Sequence, residues 1–247
     1  MLHIKNNPNA KIVLTIGIPT YNRCQHLKRL VKDLISQVRL SNNQQHIEIL
    51  VSDNFSQDDT EKEIEKHIKN NDDIFISYHK NKKNLGTDAN CEQLFKNAKG
   101  EFVWLMGDDD SLYDSALNIV YDIIIQNKIA NVIFVNYKIY DEFCEQVIGI
   151  TNCALEGNKV EITDHNEFYK ITDFANTFIS SNIIRRDCWN DAMQESYIGT
   201  HWIHFFMVRD ILLLGPSLVI REPLVKMRGV TLEDSRAMGK EHYPGQY

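Results

Sequence analysis

Between residues 11 and 110 the chain alternates short apolar runs with amphipathic stretches, and few folds accommodate that rhythm. Lys11 to Ile18 (KIVLTIGI) is continuous and β-branched and stops at Pro19, as a strand buried on both faces of a parallel sheet does. Leu27, Leu30, Val31, Leu34, Ile35 and Val38 recur at helical spacing, which predicts a helix over Arg23 to Val38 with Asn22 as its N-cap. Ile47 to Ser52 (IEILVS) reads as a second buried strand, Asn54 to Asp59 as a polar turn, and Thr60 to Lys69 as a helix with Ile64 and Ile68 on one face. A strand at Phe75 to Tyr78, a helix at Asp88 to Ala98 and a strand at Glu101 to Met106 (EFVWLM) complete a βαβαβαβ series. Such a series closes as an open α/β sheet, and ligands of these sheets bind beyond the carboxyl ends of the strands.

After Asp110 the pattern loosens. Ser115 to Asn127 reads as a helix, Val132 to Tyr137 as a strand, Phe178 to Ile184 as another strand and Trp202 to Leu214 as a helix, while 141–175 carries mixed signals. No repeat, low-complexity tract or Pro/Gly-rich linker divides the chain, so one domain over 1–247 is expected.

Three strand ends carry the polar chemistry: Pro19-Thr20-Tyr21-Asn22-Arg23, Ser52-Asp53-Asn54-Phe55-Ser56 and Gly107-Asp108-Asp109-Asp110. Any one of them alone is ordinarily a turn. On a parallel sheet all three fall on the same edge. Three adjacent carboxylates at the end of an apolar strand repel one another and are costly to desolvate, unless a cation compensates them. Carboxylate oxygens are the hard ligands that Mg²⁺ or Mn²⁺ prefers, and the absence of a Cys/His cluster disfavours zinc. The competing reading is an exposed acidic turn that caps the next helix through its dipole.

Composition removes other classes. With 27 Lys and Arg against 34 Asp and Glu, a net charge of -7 over 247 residues speaks against a nucleic-acid binder, which would carry a basic excess. Cys24, Cys91, Cys144, Cys153 and Cys188 are scattered without a C-x-x-C pair, so a reduced, cytoplasmic protein is expected. Met1 to Ala10 lacks the apolar core of a signal peptide, and Ile12 to Ile18 and Ile211 to Ile220 are too short or interrupted to span a bilayer. Peripheral contact at the inner face of a membrane is left open, as is a further tail beyond Tyr247.

In their order, IVLTIGIPTYNR, IEILVSDNFSQDDT, NKKNLGTDANCEQ and GEFVWLMGDDDSLYD resemble family 2 glycosyltransferases of the GT-A fold, a Rossmann-like, mostly parallel sheet flanked by helices, over about residues 11–125. Within that family the chain looks most like bacterial enzymes of surface-polysaccharide synthesis (O-antigen or capsule), abequosyltransferase-like proteins among them. The resemblance implies a nucleotide-sugar-binding half at 11–112 and an acceptor-binding half at 113–247. It implies that Pro19, Thr20, Tyr21 and Arg23 lie against the nucleotide, that Asp53 accepts from the base, and that Asn84, Leu85, Gly86 and Asn90 flank it. Asp108 and Asp110 map onto the Asp-x-Asp element that holds Mg²⁺ or Mn²⁺ on the diphosphate, Asp108 also lining the nucleotide site, with Asp109 facing the donor sugar. Many relatives carry an acid where this chain has Gly107, which leaves the ligand register open by one residue. The implied reaction moves a sugar, with inversion, from a nucleoside diphosphate sugar to a hydroxyl of a glycan or lipid-linked saccharide.

The second half departs from the family. Relatives place a Glu-Asp pair where this chain has Gly199-Thr200-His201-Trp202-Ile203-His204, so His201 stands near the position of the base, and imidazole titrates near neutrality. The alternative is that His201 and His204 cap or pack. Pro223 to Arg228 resembles the family's late strand, but Gly229 and Val230 follow where relatives have a metal-reaching His. Arg228 is a candidate diphosphate contact, with solvated surface as the competing reading. Trp104 is expected in the core, and Trp202 packed under its helix in preference to forming a sugar platform. Two other classes compete: a sugar-nucleotide nucleotidyltransferase, against which the Gly-free PTYNR loop speaks, and a non-catalytic nucleotide-sugar or glycan-binding module, which the missing Glu-Asp pair favours.

Overall fold

The computed structural model describes residues 11–229; residues 1–10 and 230–247, Val230 among them, lie outside the described residues. The first half runs β1 (Leu14–Thr20), α1 (Cys24–Leu40), β2 (Ile47–Asp53), α2 (Thr60–Asn70), β3 (Phe75–Lys80), α3 (Thr87–Asn97) and β4 (Phe102–Leu105), each within a few residues of its sequence expectation. The second half runs β5 (Ser111–Leu112), α4 (Ala116–Gln126), β6 (Val132–Tyr140), β7 (Val147–Ile150), β8 (Lys159–Ile162), α5 (His165–Thr172), β9 (Asn182–Arg185), α6 (Arg186–Ala192), α7 (Ile203–Leu212) and β10 (Ser217–Arg228). Phe178 to Ile184, expected as one strand, is divided: Ile179–Ser181 forms a 3-10 turn, and the strand begins only at Asn182.

Among the described residues all ten strands belong to one sheet of order β3-β2-β1-β4-β9-β6-β10-β5, with β7 on β6 and β8 on β10. β1 pairs in parallel with both β2 and β4, which fixes the three polar strand ends on one edge. β9 inserts antiparallel between β4 and β6, and β10 returns parallel to β6. Two apolar layers cover the sheet. One packs Leu27, Leu30 and Leu34 of α1, Ile64 of α2 and Leu117 and Val120 of α4; the other packs Leu94 and Phe95 of α3, Phe168 of α5, Trp189 of α6 and Met207 of α7.

One acid lies inside the apolar strand β2. Glu48 is fully buried, and it accepts from the Thr15 hydroxyl at 2.7 Å, the Ser77 hydroxyl at 2.8 Å and the Lys99 N–H at 2.9 Å. These donors come from β1, β3 and the turn before β4, so the carboxylate ties neighbouring strands together where a valine would only fill space.

The start of α1 corrects the sequence expectation. Asn22 does not cap the helix: it sits at φ 54°, and its side chain accepts the Gln57 N–H at 2.8 Å. The cap comes from another loop, where Asp58 accepts the Cys24 N–H at 3.0 Å and, with its second oxygen, the Thr60 N–H and hydroxyl at 3.1 and 2.6 Å. One carboxylate thus serves the first turns of both α1 and α2.

Candidate active site

The loop after β4 holds the acids in three different ways. Asp108 is 5 % exposed; it accepts from the Thr20 hydroxyl at 2.7 Å, and its other oxygen pairs with Arg23 Nε at 3.1 Å. Asp109 faces two guanidinium groups, Arg23 at 2.5 Å and Arg228 at 3.4 Å, while Arg29 donates to its carbonyl at 3.2 Å. Asp110 is 3 % exposed, and accepts from the Ser180 hydroxyl at 2.5 Å and the Arg228 N–H at 3.1 Å. Burial pushes the Asp108 carboxyl up to about 6, against the pull of Arg23. Burial also raises Asp110, and the charge of Asp109 adds to the effect. Two buried carboxyls are thus held above their ordinary range by desolvation, in spite of the arginines beside them.

Gly107 bears on the open register. A Cβ there would stand 2.6 Å from Asp110 Oδ2 and 3.4 Å from Ser180 Oγ, so an acid at 107 and Asp110 in this orientation exclude each other. The Gly107 N–H instead donates to Ser180 Oγ at 2.8 Å, which makes that hydroxyl the link between the loop backbone and Asp110. Ser180 was not legible in the sequence because its role depends on the 3-10 turn ahead of β9. The Trp104 indole, buried as expected, bonds the Ser180 carbonyl at 2.9 Å and so holds the same turn from below.

The side on which the resemblance places the nucleotide is assembled by amide and hydroxyl groups. Asp53 is fully buried and accepts the Ser56 N–H at 2.8 Å and the Tyr78 hydroxyl at 2.6 Å. Asn54 joins the next loop, giving a hydrogen bond to Asn84 Oδ1 at 2.7 Å and taking one from the Leu85 N–H at 2.8 Å. Asn84 also accepts the Gly86 N–H at 2.9 Å, and Gly86 adopts φ 84°, a conformation that favours glycine. Asn90 faces inward: it accepts from Ser52 and Asn81 at 2.9 Å each and donates to the Ser52 carbonyl at 2.9 Å. Tyr21 and Phe55 are left exposed beside these loops, Phe55 at φ 75°. Lys80, by contrast, is engaged with Glu61 at 2.7 Å.

Arg228 is not solvated surface. It is buried, and besides Asp109 its Nε donates to the Glu142 carbonyl at 2.8 Å. The two-residue β5 explains its position, since pairing of Ser111 and Leu112 with Lys226 and Val225 brings the end of β10 over the acids. His204 is buried, with Nε2 2.7 Å from the Thr177 carbonyl, and burial holds its pKa below the usual imidazole value. Trp202, expected under the helix, is instead exposed and stacks near His204. His201 is exposed at φ 63°, and its backbone N–H is held by Asp88 at 2.7 Å.

Solved structures share this architecture. Staphylococcus aureus TarS 1–349 in complex with UDP-GlcNAc superposes with a TM-score of 0.70 at 18% identity, covering 94% of this chain and 62% of that one. A mannosyltransferase from Pyrobaculum calidifontis in complex with GDP-Man and Mn²⁺ gives 0.60 at 14% identity, covering 89% of this chain and 57% of that one. The fold is that of GT-A glycosyltransferases. The model of the glycosyl transferase family 2 matches residues 15–184, more than half of the chain, and the chain belongs to that family. Among curated relatives, the abequosyltransferase RfbV of Salmonella typhimurium is 29% identical over 88% of this chain and 67% of its own length. The GalNAc(5)-diNAcBac-PP-undecaprenol beta-1,3-glucosyltransferase of Campylobacter jejuni is 33% identical over 42% of this chain and 32% of its own length. The chain thus spans about two thirds of the Salmonella relative and less than two thirds of these solved neighbours.

Proposed function

We propose that the protein is an inverting, metal-dependent glycosyltransferase of bacterial surface-polysaccharide synthesis, which moves a sugar from a nucleoside diphosphate sugar to a hydroxyl of a glycan or lipid-linked saccharide. The observation that carries this reading is the pair of buried carboxylates, Asp108 and Asp110, on the sheet edge that also presents Thr20, Arg23 and the Asn84–Gly86 loop. The ligands bound to the solved neighbours, UDP-GlcNAc in one and GDP-Man with Mn²⁺ in the other, support it, and so do the activities of the named relatives.

The donor set fits Mg²⁺ or Mn²⁺. Among the described residues no group of three or more His, Cys, Asp or Glu converges on a metal position, so the protein would supply Asp110 and Asp108 and leave other positions to phosphate and water. Each Asp110 oxygen accepts one protein hydrogen bond and keeps a lone pair in reserve. A bound divalent ion would neutralise charge gathering on the departing diphosphate. Arg23 and Arg228 hold the Asp109 carboxylate, which would face the donor sugar. Thr20 and Ser180 fix the rotamers of Asp108 and Asp110 before substrate arrives. His201 takes the acceptor proton as the new C–O bond forms and the bond to the diphosphate breaks, its electron pair leaving with the diphosphate. We place the reaction in the cytoplasm, consistent with five free cysteines; no helix among the described residues is long and apolar enough to cross a membrane. Peripheral membrane contact is supported by the exposed Phe143, Val147, Ile148 and Ile150 on and beside β7.

A thermal-shift panel of UDP, GDP, CDP and dTDP with and without Mn²⁺ tests the reading. At least one nucleotide should raise the melting temperature with concentration, by a stabilisation of about 2.7 kcal/mol at a hundredfold excess over Kd. Mn²⁺ should add to the shift in the wild type and not in Asp110→Asn. No shift from any of the four, with or without metal, overturns the proposal.

A further inference from the structure

Asp88 lies two residues past Gly86, in the first turn of α3, and is 3 % exposed. Its Oδ2 accepts the N–H groups of Gly199 at 2.9 Å and His201 at 2.7 Å, and its Oδ1 accepts that of Ile203 at 3.2 Å. One carboxylate therefore closes a turn more than a hundred residues away in sequence. The turn needs it. Gly199 at φ 95° and His201 at φ 63° are both left-handed, and α7, which starts at Ile203, has no side-chain cap of its own from Trp202. A buried carboxylate taking three N–H groups is a strong anchor.

The other end of the same hydrogen-bonded segment is the loop before α3, at Asn84–Gly86. Asn54 bonds Asn84 and Leu85, Asn84 bonds Gly86, and the Gly86 carbonyl accepts the Asn90 N–H inside the first turn of α3. From the end of β2 to the backbone of His201 the path is continuous, and every link is a hydrogen bond or one turn of helix.

We propose that Asp88 is a positioning residue that places the His201 imidazole according to whether the Asn84–Gly86 loop is occupied by a nucleoside diphosphate. This rests on the function proposed above, with His201 as base. Asp88 takes no proton and touches no substrate; it sets where the ring stands. A cap that served only to stabilise α7 would lower the melting temperature when removed, and would leave the response of His201 to nucleotide untouched.

The experiment is ¹³C-¹H NMR of His-labelled protein, with the His201 ring signal assigned by His201→Gln, titrated with UDP, GDP, CDP or dTDP in Mg²⁺. In the wild type the nucleotide that binds should displace the His201 signal. In Asp88→Asn the same nucleotide should bind with Kd within about threefold, and the His201 displacement should be lost. Should Asp88→Asn fail to fold, Gly199→Ala disturbs the turn from the other side: its Cβ meets nothing within 4 Å, so it adds only backbone strain at φ 95°, and the same loss is expected. A His201 signal that still moves in these variants as in the wild type overturns the role of Asp88, as does nucleotide binding to the wild type that leaves His201 unmoved. Failure of every nucleotide to bind the wild type overturns the functional reading itself, and the role of Asp88 with it.

Discussion

At the scale of single residues, Gly107 and His204 show how little side chain is needed to decide chemistry. Gly107→Ala would push its Cβ against the Asp110 carboxylate, the mobile end of a side chain, so the loop should survive while Asp110 leaves Ser180. We expect a melting temperature within a few degrees of wild type and Mn²⁺ affinity at least about tenfold weaker by titration calorimetry; unchanged Mn²⁺ affinity would remove Asp110 from the metal site. His204 has a folded pKa below its ordinary 6.5, lowered first by burial. The unfolded chain therefore binds more protons between the two values, so stability is whole above pH 6.5 and falls as pH drops below it. His204→Gln should flatten that fall in melts between pH 7.5 and 5.5, and an identical slope in the two proteins would refute it. The polar strand ends that hold these acids could be read from the sequence because residue type and strand position coincide there. Ser180 and Asp88 could not, because each acts on a loop that is remote in the chain.

Among the elements, the helices illustrate what periodicity can and cannot say. The apolar stripe of α1 appears as expected, with Leu27, Leu30, Val31, Leu34, Ile35 and Val38 all buried. Its cap does not, because Asp58 is reached through space. Burial opposes the charge of Asp58, but hydrogen bonds from Thr60 and Cys24 outweigh it and hold the carboxyl below 3.8. Asp58→Ala should cost about 1 kcal/mol in urea melts at pH 7. Because the folded value is depressed, the deficit should close as pH falls below 3.8, and a deficit that persists at pH 2.5 would contradict the cap. The strand β7 carries Val147, Ile148 and Ile150 toward solvent, and its short run inside an ambiguous stretch hid it from sequence reading. If this edge makes the proposed membrane contact, wild type should co-sediment with phosphatidylcholine vesicles and Phe143→Ser/Ile148→Ser should do so several-fold less. Wild type that stays in the supernatant would reject it.

For the whole molecule, one sheet joins the two proposed halves, and the acids sit where β1, β4, β5 and β10 meet. We therefore expect a single unfolding transition, with tryptophan fluorescence and far-UV circular dichroism coincident in urea; two separated transitions would divide the 11–112 and 113–247 halves into domains. The net charge of -7 hid the local balance, in which Arg23, Arg29 and Arg228 gather around one aspartate. The sequence by itself determined the alternation of strands and helices, the carboxyl edge of the sheet and the acids on it, because hydrophobic periodicity and the reach of a parallel strand are local properties. Only the tertiary structure decided which donor meets which carboxylate: Thr20 and Arg23 on Asp108, Ser180 on Asp110, Asp58 on α1 and Asp88 on the His201 turn. Buried carboxylates must be satisfied by whatever the fold brings within about 3 Å, and that partner need not lie nearby in the chain.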